Sequence, residues 1–187
     1  MKFCSVKNLN EILIKENHAE IVLKNNKHEE VGRALIDLED VEKIKQFSWY
    51  SHRNYAETSI FGKGNFYLHR YILNGLNSYI HIDHKNHNTL DNRKDNLRLC
   101  SNTENHWNMK KVKIGTSKYK GVSWFTKHGK WKSQICCKSK RFNLGLFTNE
   151  EEAALAYNKK AKELFGEFAY LNVVKPKLKL RKKLNGY

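Results

Sequence analysis

Long apolar runs are missing from this chain of 187 residues, and no stretch is apolar enough to span a membrane. The opening MKFCSVKNLNEILIKEN has neither the apolar centre nor the small-residue cleavage site of a secretory signal, so a cytoplasmic location is expected. Cysteine is scarce as well. Cys4, Cys100, Cys136 and Cys137 form no Cys-x-x-Cys pair. That disfavours a zinc site built on paired thiolates and a disulfide framework, and leaves reduced structural thiols as the plain reading. Acidic residues are scarce in one half only. Residues 1–110 hold 16 Lys/Arg against 14 Asp/Glu, whereas residues 111–187 hold 19 against 5, which is +14 of the formal +16. Such asymmetry points to a polyanion partner for the C-terminal half, most often nucleic acid. An anionic membrane surface fits less well, because no basic helix sets bulky apolar residues opposite its lysines.

Local patterns outline the first part of the chain. Ala19–Lys24 reads as a strand. Asp37–Gln46 reads as a short helix, acidic early and lysine-bearing late, as the helix dipole favours. Segments around Tyr55–Thr58 and Asn65–Leu68 read as strands separated by a turn at Gly62–Gly64, and Leu68–Leu73 as the start of a helix.

The stretch Ile82–Asn105 then concentrates Asp83, His84, Asn96 and Asn105 within a strongly basic protein. An Asp-His pair, an Asp-Asn-Leu-Arg-Leu segment and a later Asn occur at fixed intervals, with Leu68-His69-Arg70 upstream. This stretch resembles the HNH nuclease motif of phage and intron-encoded homing endonucleases, the likeness covering roughly residues 30–110. The resemblance implies two strands and a helix around one divalent metal, the ββα-metal (His-Me finger) plan. Laid on that plan, Ile80–Asp83 is the first strand, Asn88–Asp95 the loop and Asn96–Leu99 the second strand. Ser101 caps the following helix with Glu104 in a capping box, and Asn105 falls in its first turn, facing Asp83 and His84. The family assigns His84 as general base, a task suited to an imidazole that is neutral at neutral pH. It assigns Asp83 and Asn105 to a metal, for which two oxygen ligands suit Mg²⁺ best, with Mn²⁺ or another divalent cation as substitute. Asn96 completes the catalytic motif by holding the loop to the strand. His87 and His106 could contact phosphate or be simply solvated, and His69 is expected to brace the fold. A zinc site at His81, His84 and His87 is the competing reading, weakened by the lack of a cysteine or a partner at fixed spacing.

Beyond a polar connector at Met109–Ser117, three short strands are expected at Tyr119–Trp124, Lys130–Ile135 and Lys140–Phe147. A helix should follow, capped by Thr148 with Glu151, carrying Ala154, Tyr157, Ala161 and Leu164/Phe165 on one face and ended by Gly166. The phrases Tyr-Lys-Gly-Val, Leu-Gly-Leu-Phe, Glu-Glu-Ala-Ala-Leu-Ala-Tyr and Phe168–Asn172 make residues 117–172 resemble the DNA-binding domain of plant APETALA/ethylene-response factors. In that family the sheet lies in the DNA major groove. The likeness implies DNA contacts from Lys120 and Arg141, and Lys130 and Lys138 are further candidates on the same strands and turn. Ser123 and Phe125 stand where arginines are usual and Gln134 replaces a glutamate, so the plant target sequence is not carried over. Trp131 and Tyr157 read as core rather than as base-stacking residues. Residues 173–187, with six basic residues among Lys175–Tyr187, read as a disordered phosphate-contacting arm.

The expected protein is therefore α+β: an HNH nuclease domain over residues 1–110, with its ββα-metal core at about 79–110, then a three-stranded antiparallel sheet plus one helix. The expected function is metal-dependent hydrolysis of phosphodiester bonds in double-stranded DNA by a site-preferring homing endonuclease, with no membrane and no obligatory protein partner. The alternative is a transcriptional or architectural DNA-binding protein with an inactive HNH domain.

Overall fold

The computed structural model describes residues 10–25, 27–73, 80–111 and 115–175. The chain forms two compact units, Met1–His106 and Trp107–Tyr187, and is of mixed α/β type with small antiparallel sheets and few helices.

The first unit begins with a meander of β1 (Ile12–Ile14), β2 (Ala19–Lys24) and β3 (Glu30–Ile36). Alternation along β2 sends Ala19, Ile21 and Leu23 to one face, where the register sets Ile21 against Ala34 and Ala19 against Ile36. These residues are fully buried and form a core with Ile44, Trp49, Leu68 and Ile72. A 3-10 turn at Leu38–Asp40 leads into α1 (Val41–Ile44), a single turn where a helix through Gln46 was expected. The reason is a set of side chains that take the last carbonyls. The Trp49 indole donates to Ile44 O at 3.1 Å and the Gln46 amide to Lys43 O at 2.8 Å.

A second meander follows, of β4 (Tyr50–His52), β5 (Tyr55–Ile60) and β6 (Gly64–Tyr67). Its first turn sets Arg53 and Asn54 at positive φ, the geometry that a two-residue hairpin demands. After α2 (Leu68–Ile72) the chain pairs β7 (His81–His84) antiparallel with β8 (Leu97–Cys100) and enters α3 (Asn102–Asn108). The Ser101–Glu104 capping box is formed. Glu104 N donates to Ser101 Oγ at 3.2 Å, and Ser101 N donates to Glu104 Oε2 at 2.8 Å. The loop between β7 and β8 is bonded to β3 through Leu35 N to Leu90 O and Asn92 N to Leu35 O, both 2.8 Å.

The second unit sets β9 (Val122–Phe125), β10 (Lys130–Cys137) and β11 (Lys140–Phe147) in an antiparallel sheet against α4 (Glu150–Phe165). The first strand starts three residues later than expected. Gly121 stands before it at φ +76°, and a Cβ there would lie 2.1 Å from the Tyr157 ring and 2.6 Å from Gln134 O. The helix cap is also displaced: Asn149, not Thr148, accepts from Glu151 N at 2.9 Å, while Gly166 ends the helix as expected. In β11 an extra residue beside Gly145 shifts the register, so Phe142 and Phe147 both face α4 although an odd spacing separates them. Tyr157 is 3% exposed, in a cluster with Ile135, Ala161 and Phe165. No helix among the described residues is long and apolar enough to cross a membrane. Most of the basic tail lies outside the described residues, as does part of the connector.

Candidate active site

Adjacent residues of a strand point to opposite faces, and β7 uses both. Asp83 stands opposite Arg98 of β8, whose Nε and Nη2 donate to the same carboxylate oxygen, Oδ2, at 2.9 and 2.6 Å. Both side chains are nearly withdrawn from solvent, at 8% and 9% exposed. A pair so dry is held by charge-assisted bonds rather than by long-range attraction.

His84, at the end of β7, is buried among aromatic rings. Its ring centroid lies 5.1 Å from His69 of α2 and 6.1 Å from Tyr55 of β5, both edge to face. His69 in turn stacks on Tyr67 at 5.6 Å. Burial lowers the His84 pKa, with a bond to Asn92 acting against that shift. Asn92 is 1% exposed and rigidly oriented: its amide nitrogen donates to Leu90 O at 3.0 Å, which turns Oδ1 to His84 Nε2 at 3.3 Å. An oxygen there requires that Nε2 carry the ring proton. The neutral imidazole then has its lone pair on Nδ1, the form a general base needs.

The loop that carries Asn92 is tied down by Asn96 and Asp91. Asn96 Oδ1 accepts from Asn86 N at 3.0 Å, and its amide donates to Asp91 O at 2.7 Å. Asp91 accepts from Arg93 Nε and Nη2 at 2.8 and 2.7 Å, and from the Asn86 amide at 2.8 Å. The Arg93 bonds hold its carboxyl below the usual range. Asn105 lies half-buried in the first turn of α3, with its N–H bonded to Ser101 O at 3.0 Å, and His106 beside it is exposed. Asp83 and Asn105 offer oxygen donors, a chemistry that fits a hard divalent ion and not a thiophilic one. Among the described residues one acidic trio lies close enough to share an ion, Asp37, Glu39 and Asp40, and it includes neither Asp83 nor the trio His81, His84 and His87. Lys94 neutralises it, with Nζ 2.5 Å from Glu39 and 3.1 Å from Asp40.

Asn92, Tyr55 and Arg98 were not singled out by the motif. Asn92 and Arg98 lie inside the motif stretch, where a buried polar residue opposite or beside the Asp-His pair was the available signal. Tyr55 carries none, because only the fold brings β5 to β7.

His69 gives this site a measurable acid response. Desolvation by burial, reinforced by His84, pushes its pKa from 6.5 down to about 3, and its Nδ1 has no partner among the described residues. Between those pH values the unfolded chain binds a proton that the folded one refuses, so stability falls as pH drops below 6.5. From pH 7 to pH 5 the expected loss from this residue is about 2 kcal/mol. Urea melts of the parent and of His69→Phe at the two pH values test this. The expected result is a parent difference larger by about that amount, and equal differences would show that His69 is not held neutral.

In the second unit the expected DNA contacts separate. Arg141 and Lys130 are exposed on β11 and β10, and Lys138 is exposed in the turn between them. Lys120 is placed otherwise. Its ammonium donates to Trp107 O at 2.9 Å and Met109 O at 2.7 Å and lies over the Tyr170 ring, and burial lowers its pKa to about 8. A cation committed to two carbonyls is ill suited to meet phosphate, so Lys120 reads as a brace of the module.

A family model of HNH endonucleases matches residues 67–107, which span α2, β7, β8 and most of α3. An uncharacterized HNH endonuclease of Acanthamoeba polyphaga mimivirus is 32% identical over 146 residues, covering 75% of each chain. "Protein 3.8" of Escherichia phage T7 is 38% identical over 89 residues, covering 48% of this chain and 73% of its own length. No solved structure matches.

Proposed function

The chain belongs to the HNH endonuclease family, and from that premise we propose that it is a metal-dependent, site-preferring endonuclease of double-stranded DNA, borne by a phage, virus or other mobile element. The observation that carries this reading is the buried His84, which burial keeps neutral and the Asn92 bond fixes in one tautomer, next along β7 to Asp83. β7, β8 and α3 are read as the ββα-metal unit, with Asp83 and Asn105 as the residues that would hold Mg²⁺ or Mn²⁺. The ion would supply charge neutralisation at the scissile phosphate and the departing oxygen.

The protein's own residues then have separate tasks. His84 Nδ1 takes a proton from water as the water oxygen attacks phosphorus, and the bond from phosphorus to the 3′ oxygen breaks. Nε2–H stays on Asn92 Oδ1, so the ring cannot turn its lone pair away. Asn96 keeps the loop, and with it Asn92, in register with β8. The second unit is read as an APETALA/ethylene-response-factor-like DNA-binding domain that positions the cut, with Arg141, Lys130 and Lys138 as its contacts.

Incubation with supercoiled plasmid separates this reading from an inactive DNA-binding protein. Nicked or linear product with Mg²⁺ and none in chelator is the expected result. Retarded but uncut plasmid under both conditions would favour the alternative. Binding should also weaken steeply with salt, since each phosphate contact contributes a slope of about −0.9 in log K against log salt. The acid-poor C-terminal half leads us to expect a total slope steeper than about −3. Lys130→Ala and Lys138→Ala should each flatten it by about one contact, and a parent slope near zero would sink the electrostatic model.

A further inference from the structure

The outer face of the β9–β11 sheet has the chemistry of a surface that distinguishes bases. Trp131, Ser133 and Ile135 of β10 turn toward α4, so Lys132, Gln134 and Cys136 turn away from it. The register then sets Gln134 beside Asn143 and Cys136 beside Arg141 on that outer face. This pairing is a product of the β11 irregularity. Without the extra residue at Leu144–Gly145, Asn143 could not share the outer face with Leu146, which is opposite Lys132.

Three observations favour a duplex as the occupant. Gln134, Asn143 and Arg141 make no side-chain hydrogen bond to any described residue, so their donors and acceptors are available. No acidic residue occurs between Glu104 and Glu150, so the whole sheet is free of negative charge, and Lys130, Lys132 and Arg141 share the outer face with the two amides. A two-stranded ribbon also has the width that the DNA major groove admits, whereas the A-form RNA groove is too narrow.

Resting on the reading of the chain as a DNA endonuclease, we propose that Gln134 and Asn143 select adenine and Arg141 selects guanine in the major groove. Side-chain amides match the N6/N7 edge of adenine, and guanidinium matches the O6/N7 edge of guanine. The amide row and the guanidinium row are two residues apart along the strands, about 6.6 Å. That distance is roughly two base-pair steps of about 3.4 Å, so the two selected bases lie within about two base pairs of each other.

The test is selection of a randomised duplex library by the full chain without divalent metal. Enrichment of adenine and guanine at that spacing is expected. For the enriched duplex and versions changed at one base pair, the affinity ratio is the readout. Asn143→Ala and Gln134→Ala should lower the ratio at adenine by roughly 5-fold or more, and Arg141→Ala the ratio at guanine by a similar factor. Asn143→Asp, which keeps the shape but cannot donate to N7, guards against a packing artefact and should act like Asn143→Ala. Unchanged ratios in all variants, enrichment of neither base, or tighter binding to single-stranded RNA of the same sequence would each overturn the proposal. Cleavage of the enriched duplex with Mg²⁺ is measured beside it. Intact cleavage with unchanged ratios removes only this inference, whereas base preference without cleavage removes the nuclease reading and leaves this one standing.

Discussion

His84→Ala is expected to lower the rate of plasmid cleavage by about 10²–10⁴-fold while DNA affinity stays within a few-fold of the parent. The difference arises because the imidazole acts on a proton in transit. It contributes to the transition state and little to the bound complex. Structural damage must be separated from lost chemistry, since the ring packs on His69 and Tyr55 and its removal leaves a cavity. Two additional measurements do this. Imidazole added to His84→Ala should restore part of the rate, because the cavity is the size of the lost ring. Asn92→Ala should lose about tenfold in kcat with KM little changed, since it frees the ring to flip without touching the substrate site. Near-parental cleavage by His84→Ala would show that the base has been misassigned. Parental kcat in Asn92→Ala would remove the tautomer argument alone.

What the sequence made legible was local, and what it concealed was long-range. Ala19–Lys24 and Lys140–Phe147 form strands over the residues expected, and the Ser101–Glu104 capping box closes as read. In each case neighbouring residues carry the whole signal. β3 was not foreseen, because Glu30, Gly32 and Arg33 hide its alternation and only pairing with β2 reveals which residues face inward. α1 is short for a reason 5 residues further on, the Trp49 indole on Ile44 O. The site behaves in the same way. Asp83 and His84 are adjacent in sequence, but the residues that set the state of His84 come from the β7–β8 loop, from α2 and from β5. Lys120 is the sharpest case. By composition it is one more cation of a basic half, and only the packed module shows its charge turned onto backbone carbonyls.

Asp83→Asn is expected to reduce cleavage by about 10²–10³-fold, because the anionic member of the proposed ligand pair is replaced by a weaker neutral donor. The asparagine variant is the informative one. In Asp83→Ala the Arg98 guanidinium, 9% exposed, would lose the carboxylate it binds, and breaking a buried pair costs about 3–5 kcal/mol and would confuse folding with catalysis. Asparagine keeps the shape and leaves an oxygen for Arg98 to donate to. The loss should therefore appear in the metal response, as a higher Mg²⁺ concentration for half-maximal rate, with the melting temperature shifted far less than in Asp83→Ala. Asn105→Ala should move the same Mg²⁺ midpoint by a smaller factor, while His106→Ala, exposed on the neighbouring position, should leave it in place. A parental midpoint in Asp83→Asn would exclude Asp83 as a ligand and leave its carboxylate a structural partner of Arg98. A parental midpoint in Asn105→Ala joined to a shifted one in His106→Ala would rotate the ligand-bearing face of α3 by one residue, and the metal would then be held by a nitrogen and a carboxylate.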